Sequence, residues 1–462
     1  MASAGKSKIS PPKGTRDLYP HDLLRQRYIT EAWRRVSIRH GFDEIAGPTF
    51  EMRELYTRKS GEGIVSELFS FRREGGRDDY ALRPEFTPTL ARMYAAKANS
   101  LPTPCKWFTA GPYFRAERPQ RGRLREFVQW NCDVLGGEGE ASRCLFDLET
   151  ISVIITMLDG LGFGPESLRF RVSDRQMVSG FIEQAGVSAE NMAGALTLLD
   201  KRNRLSPESV EEQAKKLSFN ISMFDDLCRN APASDGAPDA VSRAIETDRR
   251  WMTTDYSIVR GLAYYTGTVF ELIADGERAV AGGGRYDNLI ELFGGPATPA
   301  VGFGMGDVVL GLLLEDKNLM PEGRELAEAL SLLPASLRPE AFVVSADEQR
   351  GDPLVEPLLA DLRRGIVNAS WKDRGGKPWD ADRYEISPMH ARRSYKSTRN
   401  LKKLLNDAEK QWARFAVVIH DADKVQLKDL DRREELTHDS RGDFSVDPVS
   451  DAYVGRAIAA RL

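Results

Sequence analysis

The densest run of chemistry-bearing residues is Phe114-Arg115-Ala116-Glu117-Arg118-Pro119-Gln120-Arg121-Gly122-Arg123-Leu124-Arg125, followed shortly by Phe127. Guanidinium forks grip phosphate oxygens bidentately, and an aromatic ring gives a base a face to stack on. The set suits a nucleotide, with a solvated basic loop as the ordinary alternative. The next residues alternate. Val128, Trp130, Cys132 and Val134 point one way and Gln129, Asn131 and Asp133 the other, which predicts a strand with one core face and one half-exposed polar face. Further on, Arg260-Gly261-Leu262-Ala263-Tyr264-Tyr265-Thr266-Gly267 sets paired tyrosines beside an arginine, with glycines relaxing the backbone. Packing alone accounts for such a pair as readily as chemistry does. Leu82-Arg83-Pro84-Glu85-Phe86-Thr87 presents a carboxylate and a hydroxyl two residues apart on an extended segment, as an ammonium group requires.

Two strands must carry the first of these groups. Residues 105–114 and 126–135 read as an antiparallel pair joined by the arginine-rich stretch 116–125. Ahead of them, Leu24, Tyr28, Ala32 and Val36 recur at helical spacing beside Ile29 and Trp33, and Gly41 ends that helix before an extended segment at 42–50. A helix is predicted over 145–161. Residues 174–248 are polar and mostly helix-forming, with a loop at 230–238, and read as an insertion. Strand character over 256–273, the glycines Gly282 to Gly284, and a strand-to-helix passage at 301–314 supply the remaining walls. Proline and serine accumulate at 331–339, which marks a linker. Beyond it, the apolar runs 341–345 and 415–420 predict buried strands. A helix over 398–412 places Leu401, Leu404, Leu405, Ala408 and Trp412 on one face. A second α/β domain is implied.

The bulk properties bound the partners. A chain of 462 residues exceeds what one hydrophobic core organises, so two or three domains are expected. The net charge of -4 gives no global sign of nucleic-acid binding, so any RNA contact must come from local patches. No apolar run approaches the roughly 18 to 20 residues a membrane span requires. The four cysteines have neither metal-site nor disulfide spacing and suit a reducing cytoplasm. Residues 1–13 lack an apolar signal core and read as a short tail of a cytoplasmic protein.

Taken in order, the segments 12–17, 41–48, 82–87, 114–133, 259–271 and 282–287 resemble the histidyl-tRNA synthetases, a family of class II aminoacyl-tRNA synthetases, across nearly the whole chain. The most specific strings are Phe114 to Gln120 and Arg260 to Gly267. The resemblance implies an α+β fold: a class II catalytic domain with an antiparallel sheet flanked by helices, a helical insertion, and a C-terminal α/β anticodon-binding domain. The expected division is 1–173 and 249–330 for the catalytic domain, 174–248 for the insertion, and 331–462 for the linker and anticodon-binding domain. It implies a ligase that activates L-histidine with ATP and passes it to the 3′ end of its tRNA. In that scheme Arg115, Glu117, Arg123 and Phe127 bind ATP, with Mg²⁺ carried by the nucleotide and no metal held by the protein. Glu85 and Thr87 hold the histidine amino group, and Gln129, Asp133, Tyr264 and Tyr265 enclose the amino acid. Arg260 is the family's catalytic arginine, contacting histidine and acting with Arg115.

Arg118, Arg121 and Arg125, and in the C-terminal domain Arg399 and Lys402, are the weaker candidates for tRNA contact. Segment 41–48 resembles the part of the class II fold that builds a dimer interface, so a homodimer is implied. The chain departs from the family pattern twice. Val309 stands where an arginine usually closes the ATP site, and Ala263 stands where aspartate is common. Arg118 or Arg121 is the expected substitute for the missing cation. The rival reading is a catalytically inactive, synthetase-like regulatory subunit of histidine biosynthesis. The full C-terminal domain and the presence of Arg115 and Arg260 argue against it, and Val309 argues slightly for it.

Overall fold

The computed structural model describes residues 9–60, 62–137, 139–202, 205–231, 238–258, 264–274, 279–330, 336, 338–380, 382–438 and 442–462. The first helix, Pro20–Arg39, begins with a proline whose fixed φ suits a first helical turn, and Asp22 accepts a hydrogen bond from the Tyr19 amide. It buries Tyr28, Ile29, Trp33 and Val36 and stops at Gly41, whose φ of +76° is left-handed backbone that favours glycine. The extended segment that follows does not form one strand. Asp43–Glu44 pairs with the main sheet, while Phe50–Met52 joins a separate three-stranded sheet with Asp79–Leu82 and Ser70–Arg72. Gly47 and Pro48 separate the two pieces, and Pro48 has no N–H to donate to a ladder.

The main sheet has eight strands. In spatial order they are Asp43–Glu44, Cys105–Phe114, Glu126–Leu135, Ala300–Gly306, Ala279–Arg285, Thr268–Ala274, Leu168–Asp174 and Met252–Thr254. Every neighbouring pair is antiparallel except the outermost at each edge. The predicted pair 105–114 and 126–135 is present at those bounds, with Cys105 opposite Leu135 and Phe114 opposite Glu126. Among the described residues of 256–273, strand structure falls in Thr268–Ala274, and Tyr256 and Ser257 form a turn instead.

One face of Glu126–Leu135 lies against the first helix and against Gly139–Gly160 and Asp307–Asp316. Trp130 stacks on Trp33 at 5.9 Å between ring centres, which fixes the helix to the sheet. The other face is not half-exposed as the alternation predicts: Gln129, Asn131 and Asp133 are 8%, 4% and 3% exposed. The helix Thr87–Ala95 and the Tyr286 segment pack over that side.

The insertion is helical, as expected. Arg175–Gln184, Met192–Lys201, Pro207–Lys216 and Ile221–Asn230 share a core of Val178, Ile182, Leu196, Leu199 and Phe224, with side-chain caps from Asp174, Ser206 and Asn220. Of the predicted loop at 230–238, residues 232–237 lie outside the described residues. The C-terminal unit is a five-stranded sheet in the order Ala391–Arg393, Ala341–Ser345, Phe415–Asp421, Lys424–Asp429, Glu434–Leu436. Asp352–Arg364 covers one face and Leu401–Lys410 the other. Trp412 does not continue the apolar face of that last helix. The helix ends at Lys410, and Trp412, at φ +58°, is 77% exposed. Most of the predicted linker, 331–335 and 337, lies outside the described residues.

The two units meet through a buried charge cluster. Glu149 accepts hydrogen bonds from Lys106 of the main sheet, from Tyr395 (2.6 Å) and from Arg363 (3.2 Å) of the C-terminal unit. Burial alone would raise the Glu149 carboxyl, but the charges of Lys106 and Arg363 and the bonds from Lys106 and Tyr395 bring it down to about 2. Its contribution to stability is present above the ordinary carboxylate range and is lost as pH falls through about 2. Glu149→Gln leaves two cations short of their counter-ion in a dry junction. It is expected to lower the unfolding free energy by about 3 to 5 kcal/mol in urea titrations at neutral pH. A loss below about 1 kcal/mol would mean that the cluster does not hold the units together.

Candidate active site

A cavity of about 700 Å³ opens on the polar face of the main sheet. Its floor exists because the neighbouring strands carry glycine where side chains would otherwise stand. Gly302, Gly304 and Gly306 lie opposite Asp133, Asn131 and Gln129, and Gly284 and Gly282 lie opposite Gly302 and Gly304 on the next strand. A Cβ on Gly302 would fall 1.9 Å from an Asp133 carboxylate oxygen, and one on Gly304 would fall 2.7 Å from the Gln129 amide nitrogen. Between these glycine rows the large residues Val301, Phe303 and Met305 face the core on the other side.

At one end stand the predicted nucleotide residues. Arg115 donates to the Pro84 carbonyl at 3.1 Å, and its guanidinium carbon lies 5.0 Å from the centre of the Phe127 ring. Arg123 pairs with Glu117. Arg115, Arg123 and Phe127 all line the cavity, whereas Arg118, Arg121 and Arg125 do not. Arg118 is exposed, Arg121 pairs with Asp316 at 3.1 Å, and Arg125 donates to the Glu117 carbonyl at 3.1 Å. The loop turns tightly at Gln120 to Arg123 through two backbone hydrogen bonds. Gly122 (φ +75°) rests on Val309, where an added Cβ would lie 3.3 Å from a valine methyl. The position that departs from the family pattern is thus covered by the tip of the arginine loop.

Of the residues predicted to hold the amino acid, Gln129 and Tyr265 line the cavity, whereas Glu85, Thr87, Asp133 and Tyr264 lie outside its lining. Asp133 accepts a hydrogen bond from Tyr286, and Gln129 donates to Asn131 at 2.9 Å, which donates in turn to the Phe303 carbonyl at 3.1 Å. The buried row is therefore internally satisfied. Burial raises the Asp133 carboxyl to about 7, against the opposing effects of the Tyr286 bond and the charge of Lys59. Tyr264 and Tyr265 pack ring to ring at 4.3 Å, and Tyr265 seats against Gly284. Burial raises both phenols. Glu85 bonds to Lys59 at 2.7 Å, and Thr87 opens the helix that roofs the pocket. Arg260 and Ala263 lie outside the described residues, and with them the expected convergence of Arg260 and Arg115 on one phosphate. In the C-terminal unit Arg399 is ion-paired with Asp352, and Lys402 is exposed.

Three residues of this arrangement carry no individual role in the sequence reading. Tyr286 supplies the buried partner of Asp133, and its only signal is its place in the Gly282 to Asp287 string. Asp307, buried at the start of the helix Asp307–Asp316, accepts from Arg16 (2.7 Å), Gln26 (3.0 Å) and the Val128 amide (2.9 Å), so it ties the N-terminal segment to the central strand. Lys59 ends a short polar helix in which nothing distinguishes it from the neighbouring Arg58.

A mostly antiparallel eight-stranded sheet with a cavity on one face, helices behind it and a separate α/β unit at its C-terminal side is the architecture of the class II aminoacyl-tRNA synthetases. The histidyl-tRNA synthetase family model matches residues 14–306. The histidine–tRNA ligase of Opitutus terrae is 37% identical over 333 residues, covering 67% of this chain and 75% of its own. That of Haloarcula marismortui is 36% identical over 377 residues, covering 76% and 85%. The crystal structure of histidyl-tRNA synthetase from Nostoc sp. PCC 7120 shares the fold, with a TM-score of 0.55 at 21% identity over 99% of this chain and 100% of that one. The chain belongs to the histidyl-tRNA synthetase family.

The raised Asp133 carboxyl has a consequence for stability. Its neutral form suits the folded state, so its contribution is fully present below the ordinary carboxylate range and is lost as pH rises through about 7. The ligand-free protein is expected to melt at lower temperature at about pH 8 than at about pH 6, and Asp133→Asn should flatten that part of the profile. Thermal melts of the two proteins across this range would overturn the assignment if their slopes coincide.

Proposed function

We infer that the chain is a histidine–tRNA ligase: it activates L-histidine with ATP and transfers the histidyl group to its tRNA. The observation that carries this reading is a cavity lined by Arg115, Arg123 and Phe127 and, along its floor, by Gln129 and Tyr265, on a chain of this family. In the proposed scheme the adenine stacks on Phe127, and Arg115 and Arg123 meet phosphate oxygens. Glu117 orients Arg123 as well as the nucleotide. Because the loop tip covers Val309, Arg123 is also the candidate for the far end of the triphosphate, in place of Arg118 or Arg121. Arg260 remains the second cation proposed at the α-phosphate. Mg²⁺ arriving with the nucleotide would neutralise phosphate charge there, and Glu271, on the cavity wall, is the acid that would hold it.

Histidine's carboxylate, already ionised, attacks the α-phosphorus and expels pyrophosphate, so no protein base is required. Catalysis rests on positioning and on neutralising the charge that develops on phosphate oxygens. Imidazole presents one donor and one acceptor, which Asp133 and a tyrosine hydroxyl satisfy, with Gln129, Tyr264 and Tyr265 enclosing the ring. Glu85 and Thr87 take the α-ammonium. A site built on such bonds rejects analogues lacking them by about 10⁴ to 10⁵. Arg118, Arg125 and Lys402 are the proposed tRNA contacts, with Arg121 and Arg399 available once their ion pairs open. We also propose a homodimer through segment 41–48. Cytoplasmic residence accords with the four free cysteines, and no described helix is long and apolar enough to cross a membrane.

The test is exchange of pyrophosphate into ATP, run with histidine and with each other standard amino acid. Exchange with histidine alone is expected. Arg115→Ala should slow it by about 10²- to 10³-fold with little change in histidine affinity. Absence of exchange with every amino acid would return the chain to the regulatory-subunit reading.

A further inference from the structure

Lys59, in the last turn of the helix Arg53–Ser60, has a side chain only 4% exposed. Its ammonium lies 2.7 Å from the Glu85 carboxylate and 4.1 Å from the centre of the Tyr264 ring. A lysine at a helix end ordinarily keeps its charged head in water and buries only the stem. This one turns the head inward and exchanges hydration for one carboxylate and one aromatic face. Those two groups are what an amino acid's α-ammonium needs: an anionic acceptor and a ring that attracts cations. Glu85 and Tyr264 are also the residues proposed above to hold and enclose the substrate.

We propose that Lys59 is a built-in occupant of the ammonium seat, so that histidine binds by exchanging its own α-ammonium for that of Lys59 on Glu85. The proposal rests on the reading of Glu85 given above. The lysine serves the ligand-free site in two ways. It supplies a counter-ion for Glu85, and it places a positive charge close enough to Asp133 to favour that carboxylate. It also sets the condition for entry. A ligand with an ammonium group must displace Lys59, whereas an imidazole compound without one leaves the Lys59 pair intact. Lys59 therefore acts on affinity rather than on the chemical step.

Removing the occupant should move two ligands in opposite directions, which loss of structural support would not do. Calorimetric titration of full-length Lys59→Met is expected to show histidine bound about tenfold more tightly, the worth of one charge-assisted hydrogen bond no longer in competition. Imidazolepropionate, which lacks the ammonium, should bind no better or more weakly, because Glu85 is then left unpaired. In pyrophosphate exchange, KM for histidine should fall with kcat little changed, and Lys59→Arg should keep histidine affinity at or below the parent's. Weaker histidine binding by Lys59→Met, or parallel shifts for both ligands, overturns the proposal.

Acylation of lysines in the unaltered protein, read by mass spectrometry, tests the same point should the variants fail to fold. Lys59 should become more reactive when histidine saturates the site, and an unchanged or lower reactivity overturns the exchange. Glu85→Gln separates the two ideas. If it leaves histidine affinity unchanged, the reading of Glu85 itself fails. If it weakens histidine while Lys59→Met does not tighten it, only the exchange fails.

Discussion

The site depends on one constraint: a row of polar side chains on the middle strand of a sheet must be satisfied without water. Gln129, Asn131 and Asp133 point away from the aromatic core into a space that the neighbouring strand leaves open only because it carries glycine at every second position. A side chain at Gly302 would displace the Asp133 carboxylate, and one at Gly304 would displace the Gln129 amide. Burying an unpaired amide or carboxylate is costly, so the row bonds to itself, to the Phe303 carbonyl and to Tyr286. The same alternation that seats Val301, Phe303 and Met305 in the core hollows out the cavity on the opposite face. Packing and binding are two sides of one strand.

Much of this was legible from residue order, and the failures have physical reasons. The two long strands and the arginine loop between them follow from a period of two interrupted by charge, and the structure places them at the predicted bounds. Alternation cannot reveal whether the polar face is covered, because the cover comes from Thr87–Ala95 and Tyr286, distant in the chain. Residues 256–267 look strand-like for their tyrosines and threonine, yet Tyr264 and Tyr265 are committed to each other and to Gly284 rather than to a ladder. Trp412 fits the helical spacing of its segment, but the helix ends two residues earlier and the left-handed backbone turns the ring outward. The ion pairs of Arg121 and Arg399 were invisible for the same reason: their partners, Asp316 and Asp352, are set by tertiary contact.

Electrostatics divide the cavity into two ends. Arg115 and Arg123 line one, and Gln129 and Tyr265 line the other, with Asp133, Tyr264 and Tyr286 packed behind them. In a space with little water such charges are screened weakly, so the field runs along the cavity. It favours a ligand whose anionic part points to Arg115 and Arg123. At the carboxylate side Lys59 balances Glu85 and burial favours the neutral form of Asp133, so negative charge there is compensated within the protein itself.

At Val309 the arginine loop and the helix Asp307–Asp316 lie against each other at the cavity wall. A cation carried on the helix Asp307–Asp316 would approach the nucleotide from the helix side, but here that side presents a methyl group and the loop tip at Gly122 closes over it. The loop is itself anchored at its base. The Arg125 amide donates to the Gly14 carbonyl at 2.7 Å, Arg16 pairs with Asp307, and Asp307 holds both Gln26 and the Val128 amide. Loop, N-terminal segment, helix start and central strand therefore share one set of contacts around a single buried carboxylate. Arg123, paired with Glu117, is carried on that anchored loop and lines the cavity beside Val309.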